Sequence, residues 1–359
     1  MTKTMTAAGR RNRGCGDHHA VVPGGGVPAH AVVGAGKAVA LASLIAGLAA
    51  ALHMPLALAQ FSPTKPVRMI VPFPPGGGAD IIARIYAQKL GEGWGQQVLV
   101  DNRAGAAGNI GTELATKAAP DGYTVYMGTL GTMTVNPSLY PKLPFDVARD
   151  LAPLTKLVDV HFVLVAHPSL PVQSVKDLIA LARARPGQIN YSSSGAGGAP
   201  HLSAELFRSL AKVNLIHIPY KGSGPSFADL LGGHVSITFD SLVQSLPYVR
   251  GKRLRALAVL GAKRSPLVPE VPTMMEAGVA GYELTNWFGM AVPAGTPRDV
   301  IDRLHGDFAR VSQMADLRER LVGMGAEPVA SKPDDFAALM KADRAKWAKI
   351  VREAAIRAE

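Results

Sequence analysis

Residues 67–91, VRMIVPFPPGGGADIIARIYAQKLG, carry a short apolar run through a Pro/Gly turn directly into an amphipathic helix. No other stretch limits the choice of fold as strongly. Val67, Met69 and Val71 alternate with Arg68 and Ile70, as a strand requires, and Ile81, Ile82, Ile85 and Leu90 then recur at helical spacing. The helix sets Asp80, Arg84 and Gln88 on its other face, and Gly91 falls where a helix C′ glycine belongs. Between the two elements lie Pro74, Pro75, Gly76, Gly77 and Gly78, a turn whose backbone N–H groups can approach a ligand closely at a helix N-terminus. A site for a carboxylate or phosphate is one reading of this corner. A tight strand-to-helix turn, with Asp80 only neutralising the helix dipole, is the other.

The same unit recurs along the chain. QQVLVDN leads through the glycines at 105, 108 and 111 to a helix expected over about Ile110–Ala118, and YTVYMGT leads into LGTMTVNPSLY, expected as a threonine-rich polar turn. The stretch DLAPLTKLVDVHFVLVAHP ends in a buried strand by its unbroken apolar character. After His167 and Pro168 the units resume: INYSSS, the loop GAGGAP and the helix HLSAELFRSLA with Pro200 in its first turn, then LIHIPY, the loop KGSGP and the helix SFADLLGG. HVSITFDS and LRALAVLG are further strands, and two long helices close the chain, from about Pro297 to Met324 and from Pro333 to Arg357. Strands alternating with helices imply α/β architecture, with mainly parallel sheets flanked by helices on both faces. Ligands bind such sheets at the carboxyl ends of the strands, where all of these glycine loops lie.

At 359 residues, with 48% hydrophobic and 18% charged residues, the chain has room for two ordinary domains. Residues 1–37 lack any sustained period and are expected to be disordered or absent from the mature protein. Lys37 then precedes an apolar stretch ending in Ala57, Leu58 and Ala59, the order of a secretory signal, with cleavage expected after Ala59. A membrane anchor competes with that reading, but His53 and Pro55 interrupt the run and no basic stop-transfer cluster follows. Removing residues 1–59 takes away five Lys/Arg and one Asp, leaving (38 − 5) − (27 − 1) = +7, a charge that favours anionic solutes at long range. The sole cysteine, Cys15, goes with the leader, so no disulfide or thiol nucleophile is expected. The basic clusters at 10–13 and 252–255 are not interleaved with aromatics, which argues against nucleic-acid binding.

Familiar catalytic fingerprints fail in every loop. Ile81 stands where a dinucleotide-binding G-x-G-x-x-G needs its third glycine after Gly76 and Gly78, and Pro200 does so after Gly195 and Gly197. No loop carries the Gly-Lys-Ser/Thr of a P-loop, and neither Ser194 nor Ser223 is framed by glycines as in a nucleophile elbow. The histidines after the leader show no i, i+4 metal pair, so neither metal nor cofactor is expected. His201, beside Ser194 and Gly197, either donates to an anion or bonds backbone at its helix start. Asp240, at the end of an alternating strand, either binds a polar group of a ligand or caps the next helix. Several glycine-rich helix starts without a catalytic constellation point to binding rather than chemistry. The alternative is an enzyme acting on a carboxylate or its thioester, with Asp240 or His201 as acid/base.

VPFPPGGGAD, VDNRAGAAGNIGTELATKAAPDGYT, HIPYKGSGPSFADLLGG, LRALAVLGAKRSPLVPEVPTMMEAG and WFGMAVPAGTP, in that order, resemble the landmarks of the Bug family. These are the periplasmic, TctC-like solute receptors of tripartite tricarboxylate transporters, and the resemblance runs from about Pro66 to Trp347. It implies a two-domain periplasmic-binding-protein fold that closes like a flytrap on a small mono-, di- or tricarboxylate. It further implies a monomer that delivers this solute to membrane permease subunits. Domain one would comprise residues 60–165 and 289–359 and domain two the inserted residues 166–288, with crossings near Leu164–His167 and Phe288–Val292. By the same resemblance the ligand is received by Phe73, Gly76, Gly77, Asp80, Asn109 and Gly111 from domain one, and by Ser194, Gly197, His201 and Asp240 from domain two. One departure stands out: the second loop reads GAAGN, with Ala107 where the family more often has a further glycine.

Overall fold

The computed structural model describes residues 19–21, 24, 61–140, 142–353 and 356–357, so the expected leader and its cleavage after Ala59 lie almost wholly outside the described residues. Residues 1–58 and 59–359 are separate units, and the second is the subject from here on. Strand β1 (Val67–Val71) is buried except at Arg68. Helix α1 (Gly78–Trp94) starts behind an extended Gly77 and buries Ile82, Ile85, Tyr86 and Leu90. Each such side chain contributes roughly 1.5–3 kcal/mol by leaving water. The C-terminal glycine sits one turn later than the sequence suggested. Helix α1 runs past Gly91, and Gly95 takes the left-handed cap at φ 64° with its N–H bonded to Gly91 O at 3.0 Å. Gly91 is a packing glycine, because a Cβ there would lie 3.1 Å from Gln96 O.

The remaining strands are β2 (Val98–Asn102), β3 (Thr124–Thr129), β4 (Leu151–Val160), β5 (Phe162–Ala166), β6 (Asn190–Ser193), β7 (Ile216–Pro219), β8 (Ile237–Ser241), β9 (Arg255–Val259), β10 (Asn286–Pro293) and β11 (Ala326–Pro328). They form two sheets, ordered β11-β4-β10-β3-β1-β2 and β7-β6-β8-β5-β9. In the first, β1 to β4 run one way and β10 and β11 the other. In the second, β5 alone opposes its neighbours. Both sheets are therefore mixed rather than mainly parallel: most strands in each point one way, but β10, β11 and β5 make five of the nine neighbouring pairs among the described residues antiparallel.

The outward crossing is a single residue. His161 donates its N–H to Gly325 O at 2.9 Å and accepts from Leu242 N–H at 2.7 Å, tying the two sheets together. All of β5 thus pairs in the second sheet, and Asn286–Phe288 pair in the first. Each change of sheet lies a few residues before the place expected from the resemblance, since an unbroken apolar run carries no mark of the sheet it joins.

Helices after α1 are α2 (Asn109–Thr116), α3 (Asn136–Leu139), α4 (Val147–Asp150), α5 (Val175–Ala184), α6 (Ala199–Ala211), α7 (Ser223–Leu231), α8 (Leu242–Arg250), α9 (Arg298–Ser312), α10 (Ala315–Val322) and α11 (Pro333–Glu353). Among the described residues no helix is long and apolar enough to cross a membrane. The threonine-rich stretch after β3 is not a polar turn. Gly131–Val135 form one wide helical turn leading into α3, and the whole turn is buried. Its hydroxyls are satisfied internally: Thr134 Oγ1 donates to Leu130 O at 2.6 Å and Tyr126 Oη donates to Thr132 Oγ1 at 2.9 Å. Threonine can enter a core when its oxygen finds such a partner.

Candidate functional site

Loops following β1, β6, β7 and β8 meet over a cavity of about 40 Å³ between the two lobes. That is room for about three water-sized groups. The first lobe contributes Phe73, Gly77, Gly78, Ala79, Thr129, Asn286 and Phe288, and the second Phe162, Ser194, Ala199, Pro200, Ser223, Asp240 and Ser241. The lobes touch closely around it. A Cβ on Gly78 would lie 2.7 Å from Ser241 Oγ, and Tyr140 Oη donates to Ala196 O at 2.6 Å across the cleft.

Three helices begin at this cavity, α1 at Gly78 and Ala79, α6 at Ala199 and α7 at Ser223. Their first-turn N–H groups have no partner within the helix, and each helix dipole adds partial positive charge there. No Lys, Arg or His side chain lines the cavity. Any attraction for an anion therefore comes from fixed backbone dipoles, which suit a carboxylate.

Asp240 is the one ionisable side chain on the wall. Ser223 Oγ donates to its Oδ2 and Ser241 N–H to its Oδ1, both at 2.6 Å. Burial pushes its pKa up to about 6, because these hydrogen bonds only partly offset the loss of water. Ser241 Oγ lies close enough to favour the ionised form, yet makes no hydrogen bond of good geometry. Asn286 is 1% exposed, and neither its Oδ1 nor its Nδ2 has a partner.

Of the residues singled out in the sequence, Phe73, Gly77, Ser194 and Asp240 line the cavity, and the other six do not. Asp80 is buried behind the Pro/Gly loop rather than on an exposed helix face. Its Oδ2 accepts from Gly76 N–H at 2.9 Å and Arg84 Nε at 3.1 Å, and its Oδ1 from Asn102 Nδ2 at 3.0 Å. Burial raises its pKa, but the bonds from Arg84, Gly76 and Asn102 outweigh this and hold it below the ordinary value. Asn102 Nδ2 also donates to Phe73 O at 2.9 Å, so Asp80 and Asn102 together pin the loop and use up the Gly76 N–H.

His201 plays the corresponding part in the second lobe. Its Nδ1 accepts from Gly197 N–H at 3.0 Å, its ring stacks on His217 at 4.3 Å, and burial lowers its pKa to about 4. His201 is not among the residues lining the cavity with Asp240. Asn109 Oδ1 accepts from Asn136 Nδ2 at 2.7 Å, and a Cβ on Gly111 would lie 2.7 Å from Arg103 O. These two shape the second loop from behind. In that loop Ala106 and Ala107 adopt left-handed φ of 46° and 52°, a conformation that costs an L-residue about 1–2 kcal/mol.

Sequence reasoning missed Ser223, Ser241 and Asn286. Ser223 opens a helix in KGSGP and Ser241 follows Asp240 directly, so both sit on features already singled out. Asn286 directly precedes the WFGMAVPAGTP landmark and belongs to none of the stretches singled out, and only its burial reveals it.

Two α/β lobes joined by crossings of the chain and closing on a small cavity define a two-domain solute-binding protein of the flytrap type. The chain belongs to the tripartite tricarboxylate transporter family receptors, whose family model matches residues 82–356. Protein BugT of Bordetella pertussis is 40% identical over 294 residues, covering 81% of this chain and 90% of BugT. Among solved structures, R. palustris Rpa4515 with adipate is 39% identical with a TM-score of 0.80, covering 82% of this chain and 99% of that one. MatC (Rpa3494) from Rhodopseudomonas palustris with bound malate is 30% identical with a TM-score of 0.77, covering 80% and 99%.

Proposed function

We propose that this protein is a periplasmic receptor that captures a small carboxylate between its lobes and delivers it, as a monomer, to the permease subunits of a tripartite tricarboxylate transporter. The observation that carries this reading is the convergence of three helix N-termini on one cavity with no cationic side chain on its wall. The adipate and malate in the two solved relatives support the same ligand class. Sheet membership supports domain boundaries at His161 and just before Asn286, leaving residues 162–285 as the inserted domain.

In this reading the carboxylate meets Gly77, Gly78 and Ala79 beside Phe73, while Ser194, Ser223, Asp240 and Asn286 face the rest of the solute. Gly76, Asp80, Asn109, Gly111, Gly197 and His201 hold the loops in place. No residue is assigned a catalytic role, and incubation with a bound acid should return it unchanged. Micromolar affinity corresponds to about −8 kcal/mol, within reach of several charge-assisted hydrogen bonds. A thermal-shift screen of organic acids, amines and sugars on the mature chain tests the reading. Carboxylates should raise the melting temperature, and stabilisation by amines or sugars alone would refute it.

A further inference from the structure

Asn286 begins β10, the strand by which the chain returns to the first sheet. Asn286 is one of the residues lining the cavity and is almost completely buried, yet both polar atoms of its amide lack a partner. A buried amide left in this way is costly, and protein interiors seldom tolerate one without a reason. The wall around it is otherwise largely apolar, with Phe73, Phe162 and Phe288 contributing rings. An amide offers two N–H donors and one acceptor oxygen, so the group that satisfies it both donates and accepts. A hydroxyl does this; an alkyl chain does neither.

We propose that Asn286 reads the part of the solute beyond its carboxylate, so that the receptor selects compact carboxylates bearing a hydroxyl close to the carboxyl group. The inference rests on the carboxylate-receptor reading and goes beyond it by assigning the selecting side chain and the group it selects. A solute without the hydroxyl leaves the amide unpaired in the closed cleft. Discrimination then comes from Asn286 as much as from the backbone dipoles that hold the carboxylate.

Isothermal titration of the mature chain with two matched pairs, malate against succinate and lactate against propionate, tests it. The hydroxylated member of each pair should bind about tenfold tighter or more. Asn286→Leu, of similar volume, should bring each ratio to near unity while leaving the melting temperature of the free protein unchanged or higher, since the amide bonds nothing within the protein. A purely structural asparagine would instead lower that temperature and leave the ratios intact. Equal affinities within both pairs in the wild type, or a preference that survives in Asn286→Leu and Asn286→Ala, would overturn the proposal with the receptor reading standing. Failure of all four acids to bind would overturn the hydroxyl selection, and the receptor reading falls with it only if no carboxylate stabilises the chain in the thermal-shift screen.

Discussion

Replacing Asp240 by Asn should change how the stability of the protein depends on pH, because the carboxyl is buried. Burial raises this carboxyl from its ordinary 3.8 to about 6. A difference of about two units corresponds to about 3 kcal/mol. The folded state holds the proton more tightly than the unfolded state, so stability falls as pH rises from 3.8 to 6, and the whole penalty is present above 6. Asn cannot ionise and escapes it. Asn also keeps one acceptor oxygen where the carboxylate uses two, for Ser223 Oγ and Ser241 N–H, a loss of about 1 kcal/mol at any pH. Asp240→Asn should therefore be more stable than wild type by roughly 1–2 kcal/mol at pH 8 and less stable at pH 4. Urea melts of both proteins at the two pH values measure this directly, and other titrating groups cancel in the comparison. A bound carboxylate in the same cavity raises the Asp240 pKa further. Wild type should then bind such solutes more tightly as pH falls from 8 to 6, while Asp240→Asn responds little. An identical stability difference at both pH values would refute the burial argument.

Asp80→Ala should cost about 2–3 kcal/mol by stripping the Pro/Gly loop of its anchor. It should also weaken solute binding through the disordered loop, and a denaturant melt with unchanged midpoint would contradict this. Because the Asp80 pKa is held low, its contribution is present above the ordinary value of 3.8 and disappears as pH falls through the folded value. Ala107→Gly should raise stability by about 1 kcal/mol by relieving a left-handed alanine, readable as a higher melting temperature. Tyr140→Phe removes the bond to Ala196 O across the cleft, and calorimetry should show about fivefold weaker solute binding. Unchanged affinity would mean that this bond does not favour closure.

Much of the fold could be read from one dimension because its signals are local. A strand, a glycine turn and a helix follow one another within residues 67–94, and each is written in side-chain period and chain flexibility. Local signals fail where neighbours decide. Gly91 and Gly95 are equally plausible caps until the helix is packed, and Thr132 and Thr134 look solvated until Tyr126 and Leu130 O satisfy them.

The sequence by itself determined an α/β chain with glycine loops at the strand ends and no catalytic fingerprint in any of them. Tertiary structure decided which loop residues face the cavity. Asp80 and His201 carry the chemistry that invites a functional reading, yet they spend it on Gly76 and Gly197 N–H groups. Asn286 carries no motif, yet it is among the residues lining the cavity and its buried amide is unpaired. The reason is physical: a polar side chain matters to a solute only if the fold leaves its hydrogen bonds unmade, and that depends on partners distant in the chain.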